Sequence, residues 1–374
     1  MTLIKPLGYN PEKARKFLEQ RELSGMILTS NDNVFYSTGI PVTRGQQNPI
    51  LFALSNKFPS YAVIDQSGMP VAIVWAGAIG KHELWVKEYL TSFFPNGTTE
   101  ELLTLVEQRF QKGARIGIES SMPFQLAEVI KAKIEGVQFI IIDEVMDELR
   151  LIKSSEEITK LKESLEIAEK VEETIFSEAR ADWSVFQLAS RSKQLIYEFG
   201  GTGVDHATIS IGKSNPEILE DFIGANGDIV VFDVGAILDG YVSDTRRLGL
   251  IGDVPTDLVQ LNKTMTDIVV ETGKKSLVPG REFSEVCADV ETRFQNHKRD
   301  PLFLSAGHSI GIQTEEIWIT RDSARKVQEN MIFNVELYSA LKPGIYVGTE
   351  DTFLVHKSGG EQLTRLPHEI VSIR

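Results

Sequence analysis

Five residues in the second half of this 374-residue chain have side chains suited to holding metal: Asp233, Asp244, His308, Glu336 and Glu350. The first two lie in VVFDVGAILDGYVSDTRRL (residues 230–248), where two apolar runs flank Asp239-Gly240, a strong two-residue hairpin signal. With that turn Gly235 faces Asp244, and Asp233, two residues earlier, shares its face. Asp233 and Asp244 become diagonal neighbours, about 7–8 Å apart at the backbone. Two acids so close repel unless protonated or bridged by a cation, although a solvent-facing strand can also carry such a pair.

A second pair lies in IFNVELYSALKPGIYVGTEDTFLV (residues 332–355), with Glu336 and Glu350 on either side of a Pro343-Gly344 turn. A two-residue loop alone would put them on opposite faces. An odd loop or one bulge brings them directly opposite. A Glu in a run this apolar needs a partner, either a metal or a buried arginine. His308, in SAGHSIGI, supplies an imidazole, though such a histidine can also be a satisfied core residue. Together the set suits two divalent ions that activate a shared water, with Mn, Co, Fe or Zn all compatible with mixed nitrogen and oxygen ligands.

The elements that must position these residues fall into two groups. Before residue 150, helical patterns (11–23, 99–111, 124–134) alternate with strand-length apolar runs (25–28, 61–64, 71–75, 116–118, 139–142), which predicts an α/β layer. Asn10 before Pro11, and Thr98 and Thr99 before Glu100 and Glu101, are capping-type starts. A charged stretch near 150 then opens a long helix over 156–179, capped by Ser154 or Ser155, and helices follow over 183–199, 257–276 and 283–297. The expected domains are 1–149 and 150–374.

These residues resemble the metallopeptidase family of methionine aminopeptidase, aminopeptidase P, prolidase and creatinase, the pita-bread fold. The family pattern is Asp, a second Asp eleven residues on, His in a GHxxG context, then two Glu, and all five positions match here. NVFYSTGI (33–40) and LRLIKSSEEI (149–158) resemble the N-terminal domain and domain junction of the prolidase and creatinase branch. The resemblance implies an α/β N-terminal domain and an α+β catalytic domain with two pseudo-symmetric halves, usually assembled as a homodimer. It implies a hydrolase of Xaa-Pro dipeptidase type that cleaves a C–N bond with a metal-bridging hydroxide, Glu336 serving as ligand and proton shuttle and His308 as ligand. The family's substrate-side histidine, 17–19 residues before the first Asp, is absent, and Ser214 is the nearest equivalent. Glu315 replaces a second histidine, Gly348 stands where an arginine is common, and His206 is the remaining histidine that could compensate at the substrate. These departures keep open a creatinase-like hydrolase or lyase of a small non-peptide substrate, and, more remotely, a binding protein on the same scaffold.

Composition narrows the partners. A net charge of −14 disfavours nucleic acid. The single cysteine, Cys287, excludes an internal disulfide, and with no signal-peptide pattern and no apolar run long enough to span a bilayer, the expectation is a cytoplasmic protein without membrane attachment.

Overall fold

The computed structural model describes residues 3–43, 50–342 and 345–374, so the Pro343-Gly344 turn lies outside the described residues. The chain divides into two compact units, Met1–Arg150 and Leu151–Arg374.

The first unit is built on a six-stranded mixed sheet in the order Glu88–Ser92, Pro70–Trp75, Tyr61–Asp65, Gly25–Leu28, Arg115–Ile118, Gln138–Ile141. Its buried faces are Val, Ile and Leu, packed beneath the helices Gly97–Arg109 and Phe124–Lys133. Asn10 caps the helix Pro11–Gln20 by accepting a hydrogen bond from Lys13 N, with Pro11 in the first turn as the sequence predicts. The Gly97–Arg109 helix departs from expectation. It starts at Gly97 after Asn96 in a left-handed conformation, without a side-chain cap, and Thr98 is buried.

The second unit carries an eleven-stranded, mainly antiparallel sheet. Its halves repeat one plan: a long helix, a shorter helix, then a strand hairpin. Ser155–Glu178 and Val185–Glu198 pack on the hairpin of Ile229–Leu238 and Thr245–Ile251. Thr256–Ser276 and Phe283–Asn296 pack on that of Ile332–Lys342 and Ile345–His356. Ser154 caps the first long helix in a reciprocal arrangement with Glu157, and Ser184 caps the next with Gln187. No helix among the described residues is long and apolar enough to cross a membrane.

Register decides what the sheet presents. In the first hairpin Asp239 and Gly240 have φ of +51° and +90°, the left-handed pair that a tight turn needs, and Asp233 lies opposite Arg246. In the second hairpin the pairing slips by one between Ala340 and Lys342, leaving Leu341 as the extra residue, and this bulge sets Glu336 directly opposite Glu350. The strands Thr245–Ile251 and Ile345–His356 join the halves at one registered pair, Arg246 with Glu350.

Candidate metal centre

That register creates a row across four strands: Asp233, Arg246, Glu350 and Glu336, each opposite the next. Asp244, two residues before Arg246, shares its face. His308 lies opposite Asn334, two residues before Glu336. The five candidate ligands are all buried, with none more than 8% exposed. His308 Nε2 stands 3.5 Å from Glu350 Oε1, 3.7 Å from Asp244 Oδ2 and 3.9 Å from Glu336 Oε2. The Asn334 amide donates to Glu350 Oε1 at 2.7 Å and to the Asp244 carbonyl at 3.0 Å, fixing the two acids relative to each other. The Trp318 ring packs 5.0 Å from the His308 imidazole.

Carboxylates outnumber the cations available to them. Burial and the neighbouring Glu350 push Asp244 up to about 7, and the same two causes raise Glu336 well above the carboxylate range. Burial would also raise Asp233, but the Arg246 and His206 beside it hold it low. Burial disfavours a charged His308, yet Glu350 and the other acids outweigh this and lift it to about 9. Asp244 Oδ1 is buried and receives no hydrogen bond from the described residues. Among the described residues two groups present ligand atoms within 4.8 Å of one another: His206, Asp233 and Asp244, and Asp244, His308 and Glu350. An acceptor-rich cluster with an unpartnered oxygen and imidazoles fits borderline divalent cations.

The centre forms the floor of a cavity of about 420 Å³, lined also by Thr208, Glu217, Phe303, Thr314, Glu315, Trp318 and Tyr338. A larger groove of about 1120 Å³ lies elsewhere, between Thr256–Ser276 and the C-terminal segment, and contains none of these acids.

The residues expected to touch substrate separate. Glu315 lines the cavity and is exposed, with φ of +56°. Ser214 does not line it: the side chain is turned inward and accepts a hydrogen bond from Ile211 N at 2.9 Å, closing its own turn. His206 lies among the aspartates, with Nε2 2.9 Å from Asp233 Oδ1 and 3.2 Å from Asp244 Oδ1. Position 348 holds no arginine, but Arg246 lies in the same site. Gly348 leaves room for the Tyr338 ring, since a Cβ there would lie 2.3 Å from it, and the Arg246 guanidinium packs over that ring at 4.6 Å. Arg246 pairs with Asp233 and hydrogen-bonds the Tyr338 hydroxyl, which donates to Glu336. It also reaches Glu336 at 3.7 Å, so a part-buried arginine does partner this acid, close to one reading of the sequence. Arg246 and Tyr338 went unremarked in the sequence, although each stands two residues beyond a ligand and so on its face.

Residues 159–357 match metallopeptidase family M24, and residues 11–152 match the Creatinase/Prolidase N-terminal domain. The chain is 27% identical over 377 residues to the Xaa-Pro dipeptidase of Pyrococcus furiosus, covering 96% of this chain and 99% of that protein. It is 28% identical over 273 residues to the Xaa-Pro dipeptidase of Pyrococcus horikoshii, covering 68% and 74%. Its fold is similar to that of the prolidase from Thermococcus sibiricus, with a TM-score of 0.81 at 22% identity over 97% of this chain and 98% of the other. The prolidase from Pyrococcus horikoshii gives 0.80 at 20% identity over 96% and 99%.

Proposed function

The chain belongs to metallopeptidase family M24, a metallopeptidase-type hydrolase on the pita-bread fold, and from that premise we propose that it is a dinuclear peptidase of the Xaa-Pro dipeptidase type. Asp233, Asp244, His308, Glu336 and Glu350 would hold the two divalent ions. The observation that carries this reading is the register-built row of acids, with His308 above it, on the floor of a cavity that a dipeptide would fill. Bound ions of the Mn, Co, Fe or Zn kind would supply an activated water and polarise the scissile carbonyl.

The rest is the work of side chains. Glu336 borders the cavity, and its carboxyl is raised by burial and by Glu350, so it suits the transfer of a proton from water to the leaving nitrogen. The Tyr338 hydroxyl, donating to Glu336 Oε1, would hold that carboxylate in position. Glu217 and Glu315 line the cavity with negative charge, which would attract a substrate ammonium group and repel a carboxylate. Glu315 stands where the family pattern has a histidine, so turnover on ordinary Xaa-Pro dipeptides is expected below the typical enzyme median of about 10 per second. The creatinase-like alternative is not favoured, since the two similar Pyrococcus proteins are Xaa-Pro dipeptidases.

The test compares the wild type with Glu336→Gln on a series of Xaa-Pro dipeptides after loading with each metal. Loss of roughly 10²–10⁴ in kcat is expected for the variant. Equal turnover in both, or no hydrolysis by the wild type with Mn, Co, Fe or Zn, would remove the proposal.

A further inference from the structure

We propose that His206 is a sixth metal ligand, giving the Asp233 side of the centre its own imidazole. The inference rests on the two-ion reading above and deepens it. Three donor atoms converge at this point. His206 Nε2 is 2.9 Å from Asp233 Oδ1 and 3.2 Å from Asp244 Oδ1. Donors bound to one ion at bond lengths of about 2.0–2.2 Å and at right angles lie about 3 Å apart, so these spacings fit adjacent ligands of a single cation. Asp244 Oδ1 is buried and, among the described residues, accepts no hydrogen bond, which leaves it free to bind the same ion.

Two features of the surroundings support ligation. The other ring nitrogen, Nδ1, lies 2.9 Å from Asp205 Oδ2, and Thr314 donates to the same oxygen. A carboxylate behind a histidine fixes the tautomer with Nε2 bare and raises its basicity, the usual arrangement behind a metal-bound imidazole. The sheet also makes space for the ring. His206 lies opposite Gly235, where a Cβ would stand 2.4 Å from the imidazole Cε1. Without a side chain at 235, the ring lies across the strand and reaches both aspartates.

Arg246 explains why the extra nitrogen is needed. Its guanidinium holds Asp233 Oδ2 through Nε, at 3.0 Å, and through Nη2, so Asp233 offers the ion only Oδ1. His206 fills the coordination position that a chelating Asp233 would otherwise take. Each ion then has one imidazole, His206 for one and His308 for the other, with Asp244 shared between the groups. A nitrogen donor in each group moves the centre's preference toward Zn, Co and Fe over Mg or Ca.

The experiment is metal titration of the full chain with Co and Zn, followed by metal analysis after desalting and by the visible absorption of the Co form. The wild type is expected to retain two ions and His206→Ala one, with the Co absorption altered. Asp205→Asn keeps the ligand and disturbs only its support. It is expected to weaken one of the two ions by about 10–100-fold and leave the other unchanged. Two ions held in His206→Ala with wild-type affinity and spectrum would overturn the assignment while leaving the two-ion reading intact. A wild type that holds no metal would overturn both. If His206→Ala fails to fold, the Asp205→Asn titration decides alone, and uniform wild-type affinities there would overturn the assignment.

Discussion

The two hairpins that carry the acids solve one problem by opposite means. The first uses a minimal turn with two left-handed residues, keeps strict register, and sets Asp233 and Asp244 diagonally. The second uses longer strands and spends one residue, Leu341, as a bulge so that Glu336 and Glu350 meet face to face. They also differ in what lies near them. Close to Glu350, Arg247 is buried in an ion pair with Asp351 at 2.7 Å and donates to the carbonyls of Glu350, Leu366 and Pro367. Behind the first hairpin, Glu172 is fully buried and accepts from Thr245 with one oxygen, while the other has no hydrogen bond among the described residues. Arg247, carried by the first hairpin, thus neutralises Asp351 on the second, while Glu172 behind the first stays raised by burial that Arg247 offsets only in part.

The largest expected effect comes from the residue both ion groups share. Asp244→Asn should lose most bound metal and at least about 10³-fold of activity, a scale typical of removing electrostatic stabilisation at a reacting centre. Full metal occupancy in that variant would contradict the ligand assignment. Next is the bulge. Deleting Tyr346 from the facing strand leaves the single bulge unable to set Glu336 opposite Glu350, and should cost at least one ion per chain by metal analysis. A deletion protein with full metal and full activity would mean that the parity argument is wrong.

Arg247→Leu takes the buried arginine from Asp351, leaving only His368 and Gln362 on its other oxygen, and should lower unfolding stability by about 3 kcal/mol in urea titration. A loss within experimental error would show that the pair contributes nothing. The smallest effect separates the hairpins by pH. Burial raises Glu172 from 4.5 to about 8, so the folded state favours its protonated form and loses stability as pH rises through that interval. Glu172→Gln removes this dependence. Its stability relative to wild type should grow by about 3 kcal/mol between pH 5 and pH 8, read by thermal unfolding at each pH. An unchanged difference would place the proton elsewhere.

Much of the centre was legible in the sequence because strand parity is a rigid rule. The Asp239-Gly240 turn fixed the first pair, and the need for a bulge followed from the even loop alone. His206 was harder to place. Its neighbours suggest only a strand, and its position over Gly235 depends on a pairing with residues nearly thirty positions away. The expectation for Ser214 rested on spacing in a resembling pattern, whereas the side chain here is used by its own turn. In the first unit, the helix Asn31–Thr38 gave no helical period because nearly all of it is buried, leaving no polar face to alternate with an apolar one. The edge strand Glu88–Ser92 was missed for the opposite reason: it is largely exposed and lacks an apolar alternation.

The pair Arg246 and Glu350 also bears on how the catalytic unit holds together. Among the described residues it is the single registered pair between the central strands of two otherwise similar halves, and the acids around it come from both sides. A cation held by Asp244, His308 and Glu350 would act as a rivet through that seam, with one donor from the first half and two from the second. Its grip would depend on the free metal concentration, reaching about 2.7 kcal/mol at a hundredfold excess over the dissociation constant. The seam would then tighten or loosen with metal supply, making the mechanical unity of the unit depend on the same ions as its chemistry.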